Sequence, residues 1–480
     1  MDAERFEHHL TSPQGAGRRP AGGCTATAGG GACCDTISIT VALDSERVTE
    51  AGFEADGCGS AHAAASAAVT LITGTPLLEA ARIGPKQIAG ELGGLSPGKL
   101  HAAELAADAL HWALGQAATA SAALPEQDRV LVAMSGGVDS AVAALLTARE
   151  HEVVAVTLEL WSDAENDGER SCCSASAVRS ARSLAHLLGI PHLTVDLRAE
   201  FRAGVVEPFV AAHAAGETPN PCVRCNGNVR LDAMLALAGR LGATKLATGH
   251  YARVVNEPTG PPLLRTAADA AKDQTYMLSA LAPESLVRML FPLGELTKPQ
   301  VRALAAQAGL AVAGKPDSQD LCFLAGTSVP RFLERHGGLA ATTGELVDEA
   351  GNTVGRHEGQ HLFTVGQRRG LGLAAAEPQY VLAKEAASGR VTVGPRAKLR
   401  TRSVTVRAAR LHRPGAHVDR VKLRYRQQPL RARVVGNPPA GRHGLLTLEL
   451  TDPVDGAAPG QLACLMAGEL VVGWGTISGR

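Results

Sequence analysis

The sequence predicts a multidomain chain: an N-terminal α+β domain, a central α/β domain with helices on both faces of a parallel sheet, a small β-rich connector and a C-terminal β-barrel. Three observations carry this. At 480 residues the chain is too long for one ordinary core. From Arg129 to Thr248, strand-like and helix-like runs alternate, the pattern of a parallel sheet covered by helices. Beyond about Gly326 the helical period fades into short β-like runs punctuated by Gly and Pro.

Met1 to Gly31 mixes charge, Pro and Gly without an apolar signal core and reads as a loose tail, with residues 1–27 outside the first domain. The α+β domain is placed at 28–118, where Thr36 to Phe53 alternates like strands and Ser60 to Ile72 and Pro97 to Leu114 look helical. An Ala-rich stretch running into Pro125-Glu126-Gln127-Asp128 reads as a linker at 119–128. The central domain, 129–326, opens with the strand Arg129 to Met134. Helix Ala141–Arg149, strand Val153–Leu160, helix Ala177–Leu188 and strand His192–Val195 follow, then helix Val229–Leu241 and strand Lys245–Thr248. The connector is placed at 327–395 and the barrel at 396–480.

Hydrophobic content of 45% is that of a folding chain, and aromatics at 3% leave Ala, Val and Leu to build the cores. Forty-seven basic residues balance forty-seven acidic ones, so local charge decides partners rather than net charge. No apolar run reaches the ~20 residues of a membrane span. Ten cysteines without a secretory signal point to a reducing cytoplasm, where clustered thiols serve chemistry or metals. Cys24 and Cys464 look incidental.

Ser135-Gly136-Gly137-Val138-Asp139-Ser140 stands between an apolar strand and a helix. Its glycines let the backbone approach an anion, and the helix N-terminus offers unpaired N–H groups. Asp139 would repel a bare phosphate, so it either holds Mg²⁺ or caps the helix. The loop resembles the PP-loop of ATP pyrophosphatases, which cleave ATP to AMP and pyrophosphate. Downstream stand Thr218-Pro219-Asn220-Pro221-Cys222-Val223-Arg224-Cys225-Asn226 and Asp317-Ser318-Gln319-Asp320-Leu321-Cys322-Phe323. Ala247 to Tyr251, Lys272 to Tyr276, Gly359 to Leu373, Arg424-Tyr425-Arg426 and Pro459-Gly460-Gln461 complete the set. Together these motifs resemble the MnmA family of tRNA-uridine 2-sulfurtransferases from Arg129 to the C-terminus.

That resemblance implies ATP-dependent 2-thiolation of the tRNA wobble uridine. It implies Cys225 as nucleophile, Cys322 as the persulfide carrier and a Cys225–Cys322 disulfide after transfer, with a cysteine desulfurase or sulfur-relay protein as donor. It places ATP contacts at Ala133, Met134, Ser135, Gly136, Gly137, Val138, Asp139, Ser140, Leu158 and Gly249. Its tRNA contacts fall on Asn220, Pro221, Cys222, His250, Lys272, Asp273, Gln274, Arg424, Tyr425 and Gln461. Arg224 or nearby N–H donors could lower the pKa of a thiol. Cys222 departs from the Asp found in many members, and the resulting CxxC with Cys322 leaves a second mechanism open: a [4Fe–4S] cluster on Cys222, Cys225 and Cys322. Cys172-Cys173-Ser174 reads as the entrance to a helix. Between Arg396 and Arg442 the only acid is Asp419, a charge pattern suited to an RNA backbone.

Cys33-Cys34-Asp35, Asp56-Gly57-Cys58-Gly59 and Lys99-Leu100-His101 resemble an IscU/NifU-type iron–sulfur scaffold. The resemblance implies a cluster or Zn²⁺ on Cys33, Asp35, Cys58 and His101. Where that family has a third cysteine after the His, this chain has Ala102. A degenerate domain that only docks the sulfur donor is the competing expectation. The different-class alternative for the whole chain is an iron–sulfur assembly or sulfur-carrier protein.

Overall fold

The computed structural model describes residues 2–29, 34–163, 174–256, 260–317, 321–324 and 326–479. Its first domain is a three-stranded antiparallel sheet, β1 (Cys24–Gly29), β2 (Thr36–Asp44) and β3 (Arg47–Asp56), covered by helices. The strand alternation buries Ile37, Ile39 and Val41 on one face. Against that face lie α2 (Gly59–Ile72) and α3 (Leu100–Ala120), whose buried residues are mostly alanine, so the helices and sheet approach closely.

The segment read as a loose tail is part of this domain. Helix α1 (Ala3–Thr11) is capped by Asp2, whose carboxylate accepts from the Glu4 and Arg5 N–H groups. Its buried His9 sits 2.9 Å from Ser66 Oγ of α2, and β1 pairs with β2 through Ala26 and Ile39. These contacts span tens of residues, which local composition does not report.

The central sheet is wholly parallel, in the order β10 (Met289–Leu290), β7 (Ala243–Thr248), β4 (Gln127–Ala133), β5 (Glu152–Glu159), β6 (His192–Asp196). Helices α4 (Val138–Thr147), α5 (Ala175–Leu187), α6 (Pro221–Cys225), α7 (Leu231–Arg240) and α8 (Lys298–Gln307) accompany it. The chain leaves β4 toward β5 on one side and returns through β7 on the other. That makes β4 the topological switch point, where a crevice opens at the strands' C-terminal ends.

Helix α3 of the first domain does not stop at its own sheet. It covers the edge strand β6, and Gly115 permits this: a Cβ there would lie 1.9 Å from the Thr194 carbonyl oxygen. The connector begins with α9 (Val329–Gly337) and forms a sheet in the order β12 (Thr353–His357), β11 (Gly344–Val347), β14 (Arg390–Pro395), β13 (Gln379–Glu385). The last domain is a closed barrel of β15 (Arg400–Leu411), β18 (Gly441–Asp455), β17 (Leu430–Val434), β16 (Arg420–Lys422), β19 (Leu462–Ala467) and β20 (Leu470–Ile477), sealed by β15–β20 pairing. A hairpin from the central domain, β8 (Arg253–Val255) and β9 (Leu263–Arg265), adds onto β20. The sheet that contains the barrel therefore reaches beyond the 396–480 boundary expected from sequence.

Candidate active site between the central domain and the barrel

The nucleotide loop leaves β4 and enters α4 at the switch point. Gly136 takes a left-handed backbone (φ +68°) and passes so near α5 that a Cβ would lie 2.7 Å from Ala177 O. The Ser140 hydroxyl closes the loop, accepting from the Ser135 N–H at 3.1 Å and donating to Gly137 O at 3.1 Å. Gly137 is the N-cap of α4 and supplies no side-chain cap, so the first N–H groups of the helix remain available to an anion.

Asp139 does not meet one of its two expectations, that of capping the helix. It is the second residue of α4 and not its cap. Both its oxygens are held by the Lys298 ammonium, at 2.7 and 2.8 Å, and one also accepts from Tyr251 OH at 2.9 Å. A carboxylate so engaged does not fit Mg²⁺ without giving up its lysine. Burial and the Asp139 charge in turn hold the Tyr251 phenol protonated.

The loop opens into a cavity of about 1540 Å³ between the central domain and the barrel. Ala133, Met134, Ser135, Gly137, Val138, Asp139, Ser140, Leu158 and Gly249 line it, as do Pro221, Cys222, Cys225 and Cys322. The nucleotide loop and both sulfur positions therefore share one space. Cys225 ends α6 and is buried, and Cys222 and Cys322 are half-buried. Asn220 caps α6, its side chain accepting from the Cys222 N–H at 3.1 Å.

After Cys225 the chain makes a π-helical turn, Asn226–Arg230, and Arg230 lines the cavity. Arg224 turns away: it is exposed and donates to Gly204 O at 2.6 Å. Cys322 opens a short 3₁₀ turn anchored by Phe323, whose ring packs against Phe201, Phe209 and Phe332 with centroids 6.0, 5.3 and 4.9 Å away. Four of the chain's eight phenylalanines thus gather beneath this thiol.

Of the expected RNA contacts, His250, Lys272, Asp273, Gln274 and Tyr425 line the same cavity. His250 is pushed down to about 3 by burial and by the Arg230 charge, so its imidazole is neutral, with Nδ1 2.8 Å from Thr248 Oγ1. Asp273 is committed to structure: it accepts from the Ala267 N–H and the Thr275 hydroxyl and lies 3.3 Å from Lys422 of the barrel. Arg424 and Gln461 do not reach the cavity. Arg424 lies beside Gly366 of the connector, and Gln461 Nε2 donates to Thr218 O at 2.7 Å, holding the strand that leads into α6. Arg426 of the Arg424 motif and Lys422 of the basic stretch line it too, as do Arg230 and Lys315, which sequence reasoning passed over. Lys315-Pro316 stands directly before the Asp317 motif, a signal that could have been read.

A second cluster lies in the first domain. Cys58 Sγ donates to Asp35 Oδ2 at 3.2 Å, the Cys58 N–H donates to Oδ1 at 3.1 Å, and His101 Nε2 is 3.7 Å from Oδ2. The Cys58 thiol holds the Asp35 carboxyl below its ordinary range. Among the described residues, Asp35, Cys58 and His101 form the one group of three ligands within single-ion reach, 4.8 Å; Cys222, Cys225 and Cys322 do not converge this way. Carboxylate, thiol and imidazole suit Zn²⁺ or iron. Ala102 is fully buried and supplies no fourth ligand. Cys33, Cys172 and Cys173 lie outside the described residues, while Ser174 caps α5 by accepting from the Ala177 N–H.

No helix among the described residues is long and apolar enough to cross a membrane. The profile of the NifU-like N terminal domain matches residues 2–121, that of the tRNA methyl transferase HUP domain 128–326, that of the tRNA methyl transferase PRC-barrel domain 330–395, and that of the aminomethyltransferase beta-barrel domain 415–477. The chain is 42% identical to the bifunctional protein NifU/MnmA of Rubrobacter xylanophilus, over 99% of its own length and 98% of that relative. It is also 42% identical to the tRNA-specific 2-thiouridylases MnmA of Heliobacterium modesticaldum and Methylorubrum extorquens, over 73% and 74% of this chain and 92% and 94% of theirs. The chain therefore belongs to the family of bifunctional NifU/MnmA proteins.

Proposed function

We propose that this enzyme is an ATP-dependent sulfurtransferase that 2-thiolates the wobble uridine of tRNA. The observation that carries this reading is the single cavity shared by the nucleotide loop, Cys225 and Cys322. Cations from the barrel side, Arg420, Lys422 and Arg426, border the same space and suit an RNA backbone. The activity of the relatives, tRNA-specific 2-thiouridylases, supports the same substrate.

In this reading the open N–H groups of α4 hold the phosphates while uridine O2 attacks the α-phosphate and pyrophosphate leaves. The terminal sulfur of a Cys322 persulfide then bonds to C2. The Cys225 thiolate attacks Cys322 Sγ and breaks the S–S bond, and AMP departs with the O2 oxygen as the C=S forms. The two thiols end as a Cys225–Cys322 disulfide, which a thiol reductant reopens. A cysteine desulfurase or relay protein recharges Cys322. Asp35, Cys58 and His101 would hold Zn²⁺ or the iron of a cluster, which would supply a structural or iron–sulfur cargo site beside the thiolation unit.

The test is formation of AMP and 2-thiouridine from ATP, tRNA and a persulfide donor. Both products are expected from the native chain, and Cys225→Ala is expected to form no 2-thiouridine.

A further inference from the structure

Lys298 belongs to none of the motifs that carry the resemblance, yet it occupies the junction between two of them. It is the first residue of α8, and its side chain is only 10% exposed. Its ammonium lies 2.7 and 2.8 Å from the Asp139 oxygens of the nucleotide loop and 2.7 Å from Asp317 Oδ1. Asp317 opens the motif that holds Cys322, five positions later, and both residues line the cavity. The backbone of Lys298 is fixed as well, donating to Asp269 Oδ2 at 3.0 Å.

The surroundings make the arrangement specific. Asp317 also receives Lys272 at 2.7 Å and Arg302 at 3.3 Å; burial would raise its carboxyl, but Lys272 and Lys298 hold it below the ordinary range. Lys315, two residues earlier, donates to Gly136 O at 3.1 Å. The nucleotide loop and the head of the Cys322 segment are thus joined twice, once through Lys298 and once through Lys315. A buried ammonium shared by two carboxylates is costly to leave half-paired, so anything that draws Asp139 away from Lys298 changes the hold on Asp317. A triphosphate entering the loop would bring negative charge beside Asp139 and compete for Lys272, Lys298 and Lys315.

We infer that Lys298 is a positioning residue that couples occupation of the nucleotide loop to the placement of Cys322. This rests on the thiolation reading only in assigning Cys322 the sulfur; the coupling itself is read without tRNA or turnover. Its physical content is a pair of linked equilibria, in which ATP has different affinities for the two arrangements of the Asp139–Lys298–Asp317 bridge.

The experiment follows the rate of Cys322 alkylation by iodoacetamide in the full chain, by peptide mass spectrometry, with and without saturating ATP. ATP affinity is measured in parallel by equilibrium dialysis. The native chain is expected to change its Cys322 rate by about fivefold or more on ATP binding. Lys298→Met is expected to show less than about twofold change at its own saturating ATP concentration, and Lys298→Arg to restore most of the response. Asp317→Asn cuts the Cys322 side while leaving the Asp139–Lys298 pair, so it is expected to lose the response with a smaller loss of ATP affinity than Lys298→Met. Direct shielding of Cys322 by ATP would persist in every variant that binds ATP, and a full response in Lys298→Met or Asp317→Asn overturns the inference. No response in the native chain overturns it too. Failure of tRNA thiolation with this pattern intact would sink the functional reading and leave the coupling standing.

Discussion

The central domain has two seams, and they are built oppositely. Against the first domain it is closed. The buried His111 of α3 places Nδ1 2.7 Å from His192 O and Nε2 2.8 Å from Ile83 O, and Asp108 meets Arg179 and Arg182 at 2.7 and 2.8 Å. His192 N–H donates to Ala81 O at 3.0 Å, and one apolar core runs through both domains. Against the barrel the central domain is also joined, by β9 pairing on β20, by the apolar core reaching Leu462 and Met466, and by contacts such as Tyr276 OH to Leu462 O at 2.9 Å and Arg407 to Glu217 at 2.6 Å, but these surround the large cavity. A tight seam protects an edge strand and leaves no room for a ligand. A seam that encloses a cavity leaves space for the RNA and ATP of the proposed reaction.

Cys225→Ala or Cys322→Ala is expected to lower thiolation on the order of a thousandfold or more, while the melting temperature changes little; nucleoside mass spectrometry and calorimetry check the pair. In the tight seam the order reverses. Gly115→Val must push α3 off Thr194, and a loss of about 3 kcal/mol in urea unfolding is expected. Asp108→Asn leaves the buried Arg182 without its charge partner, at a cost of about 3 kcal/mol by the same measurement.

A pH effect comes next in size. Burial depresses His111, His186 and His192, with the Arg182 charge adding to each. Their neutral forms are favoured in the fold, so this stability is fully present above the unfolded value of about 6.5 and is lost as pH falls below it. A denaturant midpoint that drops from pH 7.5 to 5.5 is expected, with a shallower slope in His186→Asn. The smallest expected effect is that of Cys222→Asp. The persulfide route does not use Cys222, so thiolation within about threefold of native is expected, whereas a cluster route would lose iron and activity together.

Much of this was legible in the sequence, for stated reasons. Strand and helix periods marked the central sheet, and Ser135 to Ser140 marked its switch point because glycine and hydroxyl residues there have few other uses. The family resemblance brought Cys225 and Cys322 together. What stayed hidden depends on distant partners. Helix α1 is fixed by Ser66, the β8–β9 hairpin by a strand about two hundred residues away, and Gly115 matters only because Thr194 lies against it. Lys298 stands in none of the motifs, and the two carboxylates it pairs with come from residues 139 and 317. Asp139 shows the converse: its chemistry allowed a metal or a cap, but Gly137 holds the cap position and the Asp139 carboxylate pairs with a lysine 159 positions away.

The most direct test of the account is a single-turnover assay with the full chain charged with ³⁵S persulfide, ATP and unmodified tRNA. One AMP released for each labelled 2-thiouridine, with the label retained on Cys322 in Cys225→Ala, is the expected result. Labelled 2-thiouridine formed by Cys225→Ala, or thiolation by the native chain without tRNA-dependent AMP, would contradict it.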